Sequence, residues 1–147
     1  MEMYLLDTNI IVRFLTNDDE KQSPAAYSLF EKAVNGKITL LLEPLVIAEC
    51  CRVLESKRYS YAKKDIADKL SQLISAPSVK MNNEAIVQKA LSDFSEFGVD
   101  FVDAYMAAYV YFSSGINAVI TWNEKDFKKI NAEFLTPDMI ITVDDEA

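Results

Sequence analysis

Five carboxylates stand in apolar surroundings that do not ask for them. Asp7 ends the run Tyr4-Leu5-Leu6. Glu49 sits inside Leu45-Val46-Ile47-Ala48-Glu49-Cys50-Cys51. Asp100 and Asp103 sit within Val99-Asp100-Phe101-Val102-Asp103-Ala104, and Asp126 follows Ala118-Val119-Ile120-Thr121-Trp122-Asn123-Glu124-Lys125. Carboxylates that converge repel each other unless a cation neutralises them. An all-oxygen set without imidazole or a thiolate pattern suits Mg²⁺ or Mn²⁺. Clusters of that kind serve phosphoryl-transfer chemistry, where an ion generates hydroxide and can stabilise the departing oxygen.

Each acid also has an ordinary use. Asp7, Asp100, Asp103 and Asp126 read as helix N-caps or first-turn acids favoured by the helix dipole. Glu49 is harder to explain that way. It lies mid-helix, and acids are almost never fully buried unless paired. Its ordinary alternative is a half-exposed helix face.

Composition removes rival chemistries. The chain has 147 residues, 50% of them apolar, enough for one domain with a real core. It contains 0 histidines, which excludes every Ser-His-Asp triad, Cys-His pair and imidazole-bound zinc site. Its 3 glycines (Gly36, Gly98, Gly115) are too scattered for a phosphate-cradling loop or a dinucleotide fingerprint. Acids are plentiful, 23 against 15 Lys and Arg, for a net charge of -8. The 2 cysteines, Cys50 and Cys51, are neighbours that would point to different faces of a helix. They read as small buried apolar side chains in a cytoplasmic protein. The N-terminus lacks the basic start and apolar stretch of a signal peptide, and no run is long enough to span a membrane.

The elements that position the acids follow from periodicity. Met3–Leu6 reads as a buried first strand and Thr8–Leu15 as a helix. Ser23-Pro24 opens a second helix, with Ser as N-cap and Pro in the first turn. Ile38–Leu42 reads as a second buried strand. Pro44 opens a helix to about Lys57, and Lys64–Ser75 forms another. Ser78–Met81 is a brief strand. Asn83–Phe97 is a helix stopped by Gly98, and Phe101–Ser113 a helix closed by Gly115. Ala118–Thr121 is a strand, Lys125–Ile130 a helical turn, and Met139–Val143 a last strand. Strands alternating with helices predict an α/β domain with a mostly parallel sheet. The predicted boundaries are 1–143 for the domain and 144–147 for a short acidic tail. Ligands of such sheets sit outside the carboxyl ends of the strands. Asp7 and Thr121-Trp122-Asn123 are therefore expected on one edge.

With these motifs in hand, the chain resembles PIN-domain proteins, especially VapC-type toxins. Leu5-Leu6-Asp7-Thr8-Asn9-Ile10-Ile11-Val12-Arg13-Phe14-Leu15 looks like the family's opening. Ala48-Glu49, Val99 to Ala104, and Thr121-Trp122-Asn123-Glu124-Lys125-Asp126-Phe127 follow in family order over nearly the whole length. The resemblance implies a sheet of about five parallel strands flanked by helices, and a Mg²⁺- or Mn²⁺-dependent endoribonuclease. It maps the family's first three acids onto Asp7, Glu49 and Asp103. Thr8 and Asn9 would steady the first acid's loop, and Asp100 matches a less strict acid. The fourth position departs from the usual pattern: Asn123 stands where many members have Asp, and Asp126 matches a second acid. Thr121 and Asn123 would support the site, and the metal set would be Asp7, Glu49, Asp103, Asn123 and Asp126. The resemblance also implies a homodimer and an antitoxin partner.

A nuclease must hold a polyanion, and this chain is acidic, so local patches decide. Arg13, Arg52, Lys57, Arg58, Lys125, Lys128 and Lys129 are the candidate phosphate contacts, although charge runs usually form solvated surface. Which residues bind RNA is left open. Arg13 and Arg52 lie near site acids and could pair with them instead. Tyr105, Tyr109, Tyr111 and Phe112 could stack bases, but core or dimer packing suits a stripe mixed with Ala and Val better.

The leading reading is an endoribonuclease acting as a toxin. The alternative is a non-catalytic PIN-like RNA-binding or scaffold module, which the retention of Asp7, Glu49 and Asp103 argues against. A phosphate-receiver domain would show adjacent early acids, and a haloacid-dehalogenase-like phosphatase would show Asp-x-Asp. This chain has Asp7-Thr8-Asn9.

Overall fold

A computed structural model describes residues 2–146 of the chain. They form two compact units, Met1–Glu84 and Ala85–Ala147.

The first unit contains β1 (Met3–Leu5), α1 (Thr8–Thr16), α2 (Gln22–Val34), β2 (Thr39–Leu42), α3 (Pro44–Glu55), α4 (Lys63–Ile74) and β3 (Val79–Met81). The strands run parallel in the order β1-β2-β3, with Tyr4 opposite Leu40 and Leu41 opposite Lys80. Parallel neighbours need a crossover, usually helical. The pairs α1–α2 and α3–α4 supply those two crossovers. Leu40 and Leu42 of the central strand are fully buried, as are Ile11, Ile47, Leu54, Ile66, Leu70 and Ile74 from the helices. α1 packs on α2 and α3, α3 on α4, and α4 against β3.

Local signals end these elements. Asn17 adopts left-handed φ 51° and its N–H returns to the Arg13 carbonyl at 3.0 Å, stopping α1. Pro44 occupies the first turn of α3, where its missing N–H costs nothing. Two expectations are corrected in this unit. The buried first strand is not realised: β1 lies at the sheet edge with Met3, Tyr4 and Leu5 exposed, and Leu6 is the buried residue. Ser23 is not the N-cap of α2. Asp19 takes the orphan N–H groups of Lys21 (3.0 Å) and Gln22 (2.7 Å), and the Ser23 hydroxyl accepts from the Asp19 N–H at 3.2 Å. The carboxylate lies one turn earlier in the chain and reaches those donors first.

The second unit contains α5 (Glu84–Phe97), α6 (Phe101–Phe112), β4 (Val119–Ile120), α7 (Glu124–Lys129), β5 (Phe134–Leu135) and α8 (Pro137–Glu146). Gly98 at φ +72° ends α5, a left-handed conformation that suits glycine at a helix terminus. Phe94 meets Phe101 edge-on across that turn, with centroids 6.4 Å apart. β4 and β5 pair in parallel, Val119 opposite Phe134. Ala107, Val110, Val119 and Phe127 form a buried cluster, with Ile130, Ala132 and Phe134 packed against it. α6 packs on α7 and on β4.

The α/β class and the parallel pairing are as the sequence predicts. The five strands pair in parallel within each unit. Among the described residues they divide into a three-stranded and a two-stranded sheet. The last strand is also misplaced by sequence. Met139–Val143 lies in α8, and the strand is Phe134–Leu135, just before it. A short apolar run does not separate strand from helix by periodicity. Pro137 and Asp138 in the first turn favour the helix, through a preset φ and the helix dipole. The backbone of 144–146, expected as a tail, belongs to α8. No helix among the described residues is long and apolar enough to cross a membrane.

Candidate functional site

The first unit presents Asp7 and Glu49 to one cavity. Asp7 is the extended residue between β1 and α1 (φ -89°, ψ 158°), and its Oδ1 accepts the Thr8 N–H at 2.7 Å. The capping use and the site candidacy coincide: the junction that ends the strand holds the carboxylate at the strand's carboxyl end. Glu49 lies on α3 with its side chain 44% exposed, so the half-exposed face is what the fold shows. Arg52, one turn on, donates from Nη2 to Oε1 at 2.5 Å and from Nε to Oε2 at 3.2 Å. That guanidinium holds the Glu49 carboxyl below its usual range. The cavity is about 550 Å³ and is also lined by Thr8, Asn9, Arg13, Arg58 and Tyr59.

Arg13 does not pair with a site acid. Its Nη1 donates to both oxygens of Asp18, at 3.0 and 3.1 Å, and its Nε donates to Gln22 Oε1 at 2.8 Å. Asp18 also accepts from Tyr59 OH (2.6 Å), Thr16 Oγ1 (2.8 Å) and Arg58 Nη2 (3.2 Å). Led by the Tyr59 and Thr16 hydroxyls, these donors hold its carboxyl far below the ordinary range. Of the two arginines that could neutralise a site acid, Arg52 does so and Arg13 does not. Sequence reasoning misses Asp18 and Tyr59. Asp18 lies in the polar turn Asn17-Asp18-Asp19-Glu20, and nothing in that turn marks one acid above another.

The second unit joins Asp103, Asn123 and Asp126 by hydrogen bonds. Asp100 occupies the N-cap position of α6 and Asp103 its first turn. Asn123 occupies the N-cap position of α7, and its backbone N–H donates to Thr121 Oγ1 at 2.9 Å. Its amide Nδ2 donates to Asp103 Oδ2 and to Asp126 Oδ2, each at 3.0 Å. Asp126 also lies 3.9 Å from Lys129 Nζ. The Asp103 carboxyl is raised above its ordinary value. Burial is the main cause; the charges of Asp100 and Asp126 add to it, and the Asn123 hydrogen bond opposes it. Asn123 holds the N-cap position of α7, and Asp126 lies in the first turn, the dipole-favoured placing that its ordinary use predicts.

The structure thus groups Asp7, Thr8, Asn9 and Glu49 around one cavity. Separately, it groups Asp103, Asn123 and Asp126, with Thr121 steadying the Asn123 backbone. Among the described residues, no group of three or more Cys, Asp and Glu side chains could hold a metal ion. The second unit offers two carboxylates sharing a neutral amide. Mg²⁺ is commonly bound through one or two carboxylates and keeps several waters. The donor chemistry therefore suits a hard cation, with the protein charge at the lower end of what such an ion takes.

Cys50 and Cys51 are free and buried. Burial pushes the Cys50 thiol up to about 12, helped by Glu49 and Asp7, and pushes the Cys51 thiol up as well. Neither is a thiolate near neutral pH, which leaves both as small core side chains.

The family model for the PIN domain matches residues 4–133. That span contains Asp7, Glu49, Asp103, Asn123 and Asp126, and it runs through both units. Among solved structures, the chain is similar to one in the crystal structure of VapBC2 from Rickettsia felis bound to a DNA fragment from their promoter. Identity is 20%, the match covers 91% of this chain and 98% of that chain, and the TM-score is 0.37. No match is found among curated proteins.

Proposed function

The chain belongs to the PIN-domain family, and from that premise we propose that it is a metal-dependent endoribonuclease, the toxin of a toxin–antitoxin pair. The observation that carries the reading is the Asp103–Asn123–Asp126 cluster. One neutral amide bridges two carboxylates there, and the Asp103 carboxyl is raised. Such a pair stores repulsion that a cation relieves.

Asp7, Glu49, Asp103 and Asp126 are the residues assigned to Mg²⁺ or Mn²⁺, with Asn123 adding a neutral oxygen. The bound ion would supply hydroxide from water near neutral pH and charge for the departing oxygen. The reaction is hydrolysis: a water oxygen bonds to phosphorus, one P–O ester bond breaks, and no covalent enzyme intermediate is required. Thr8 and Asn9 steady the Asp7 loop, Thr121 steadies Asn123, and Asp100 adds negative charge beside Asp103. The 1–143 domain with its short acidic end is taken as the catalytic unit, acting in the cytoplasm.

The antitoxin partner rests on the resemblance of the four motifs to VapC-type toxins. For the homodimer, support comes from α6. Val102, Met106, Tyr109 and Phe112 recur at helical spacing and are all exposed.

The deciding experiment incubates the purified protein with mixed cellular RNA, with and without Mn²⁺, and maps the new ends. Mn²⁺-dependent cuts that disappear in Asp103→Ala are expected. RNA left intact under both conditions, with the fold verified by circular dichroism, would leave the scaffold reading standing.

A further inference from the structure

The chain has 1 tryptophan, and it is 78% exposed. Tryptophan is highly buried on average, so an indole left this open calls for an explanation. Trp122 lies between β4 and α7, and the backbone on either side is pinned. The Thr121 N–H donates to the Leu135 carbonyl at 3.0 Å, and the Glu124 N–H donates to the Trp122 carbonyl at 2.9 Å. The indole therefore projects from a fixed turn. The next residue is Asn123, whose amide bridges Asp103 and Asp126. Consecutive Cα atoms are about 3.8 Å apart, so the backbone that carries the ring adjoins that cluster. The helix that follows carries Lys125, Lys128 and Lys129, all exposed.

We infer that Trp122 is a substrate-positioning residue on which a base of single-stranded RNA stacks beside the phosphate to be cut. The inference rests on the ribonuclease reading above. An exposed π-face with cations on the adjoining element is the combination that holds single strands: the cations track the backbone and the aromatic ring takes a base of any identity. The lysines of α7 offer that charge, and a polyanion is what they complement. Trp122 adds no chemistry to the hydrolysis. It fixes which nucleotide lies at the carboxylate cluster.

A single tryptophan makes the test direct, because all indole emission comes from this site. The wild-type protein is titrated with a short oligoadenylate while divalent ions are chelated, so that the RNA stays intact. Its emission should be quenched, and the same oligomer made of abasic nucleotides should leave it unchanged. In parallel, cleavage with Mn²⁺ is compared among wild type, Trp122→Ala and Trp122→Phe, each with its fold checked by circular dichroism. Trp122→Ala should raise KM about tenfold with little change in kcat and should blur the choice of cut position. Trp122→Phe should restore most of the wild-type KM. Cleavage with an unchanged KM in Trp122→Ala and no quenching by oligoadenylate overturns the stacking site and leaves the nuclease reading intact. Quenching without any cleavage by the wild type supports the stacking site and sinks the nuclease reading. Emission that shifts with protein concentration and ignores RNA marks an interface between copies, and overturns the inference.

Discussion

Glu49 and Asp103 are both helical carboxylates flanked by apolar residues, and their surroundings push them in opposite directions. In the first unit, Arg52 supplies a full positive charge from one turn away, and the Glu49 carboxyl falls below its usual range. In the second unit, burial raises the Asp103 carboxyl, with the charges of Asp100 and Asp126 adding to it, and the neutral Asn123 amide, shared with Asp126, opposes the rise without reversing it. The first acid has its counter-ion within the chain; among the described residues, the second has an amide in that place. A hydrogen bond from an amide orients a carboxylate without cancelling its charge, whereas a guanidinium does both. A cation from solution therefore gains more at Asp103 than at Glu49.

The most severe way to break this contrast is Asp103→Ala, which removes the acid held by the amide. Taking away a group that stabilises developing charge costs on the order of 100-fold in rate. We expect at least that loss of Mn²⁺-dependent RNA cleavage, with the circular dichroism spectrum unchanged. Wild-type cleavage would move the chemistry away from the second unit.

Asp126→Asn comes next. The substitution keeps the shape and a hydrogen-bonding oxygen for Asn123, and removes one charge. Cleavage at limiting Mn²⁺ should fall about tenfold, equivalent to about 1.4 kcal/mol of transition-state stabilisation. Saturating Mn²⁺ should restore part of it. Full activity at limiting Mn²⁺ would remove Asp126 from the site and leave Asn123 as its fourth corner.

Much of this architecture is legible in the amino-acid sequence, and the failures share a cause. α1 and α3 have periodic apolar faces, and Pro44 marks the start of α3, so the placing of Asp7 and Glu49 follows from local signals. α6 is legible for the same reason, with Asp100 and Asp103 at its start. The division of the strands into two sheets is not, because β4 and β5 are two residues each and carry almost no periodic signal. α8 reads as a strand because a run of β-branched residues outweighs Pro137. Within the site, chain proximity offers both Arg13 and Arg52 as partners for an acid. Geometry chooses Arg52 alone, because Asp18, Thr16 and Tyr59 form a hydrogen-bonded group that claims Arg13 first. Partners brought together across 46 residues, as Arg13 and Tyr59 are, leave no local trace in sequence.

The contrast also predicts opposite pH behaviour in metal-free protein. Asp103 has a raised folded value, so its penalty is absent where the acid is protonated in both states and complete once pH passes the folded value. Asp103→Asn should therefore melt above wild type at pH 7, and the two should converge in acid, where the carboxyl is protonated in both states. Glu49 has a lowered folded value, so its contribution is present above the usual carboxylate range and fades as pH falls. Glu49→Gln should melt slightly below wild type at pH 7, again converging in acid. Differential scanning calorimetry without divalent ions checks both signs. Shifts of the same sign in the two variants would erase the distinction between the units.

The smallest effect belongs to Arg52→Ala, and it probes the counter-ion directly. The Arg52–Glu49 pair is exposed, at 71% and 44% of the side chains, and exposed pairs contribute about 0–1 kcal/mol. Removing Arg52 leaves Glu49 charged and accessible, so a divalent ion no longer competes with a guanidinium for its oxygens. Mn²⁺ affinity should rise, by no more than about fivefold, since 1.4 kcal/mol corresponds to tenfold. Isothermal titration of Mn²⁺ into Arg52→Ala and Arg52→Lys separates charge from geometry. Lysine keeps the charge but lacks the planar fork that spans both carboxylate oxygens, so its affinity should fall between wild type and alanine. If Glu49 takes no part in ion binding, all three proteins will titrate alike, and the first unit's contribution will rest on Asp7. If affinity drops in Arg52→Ala, the guanidinium holds Glu49 in its binding position and does not compete with the ion. The contrast with Asp103 would then lie in how each acid is positioned, with charge a secondary matter.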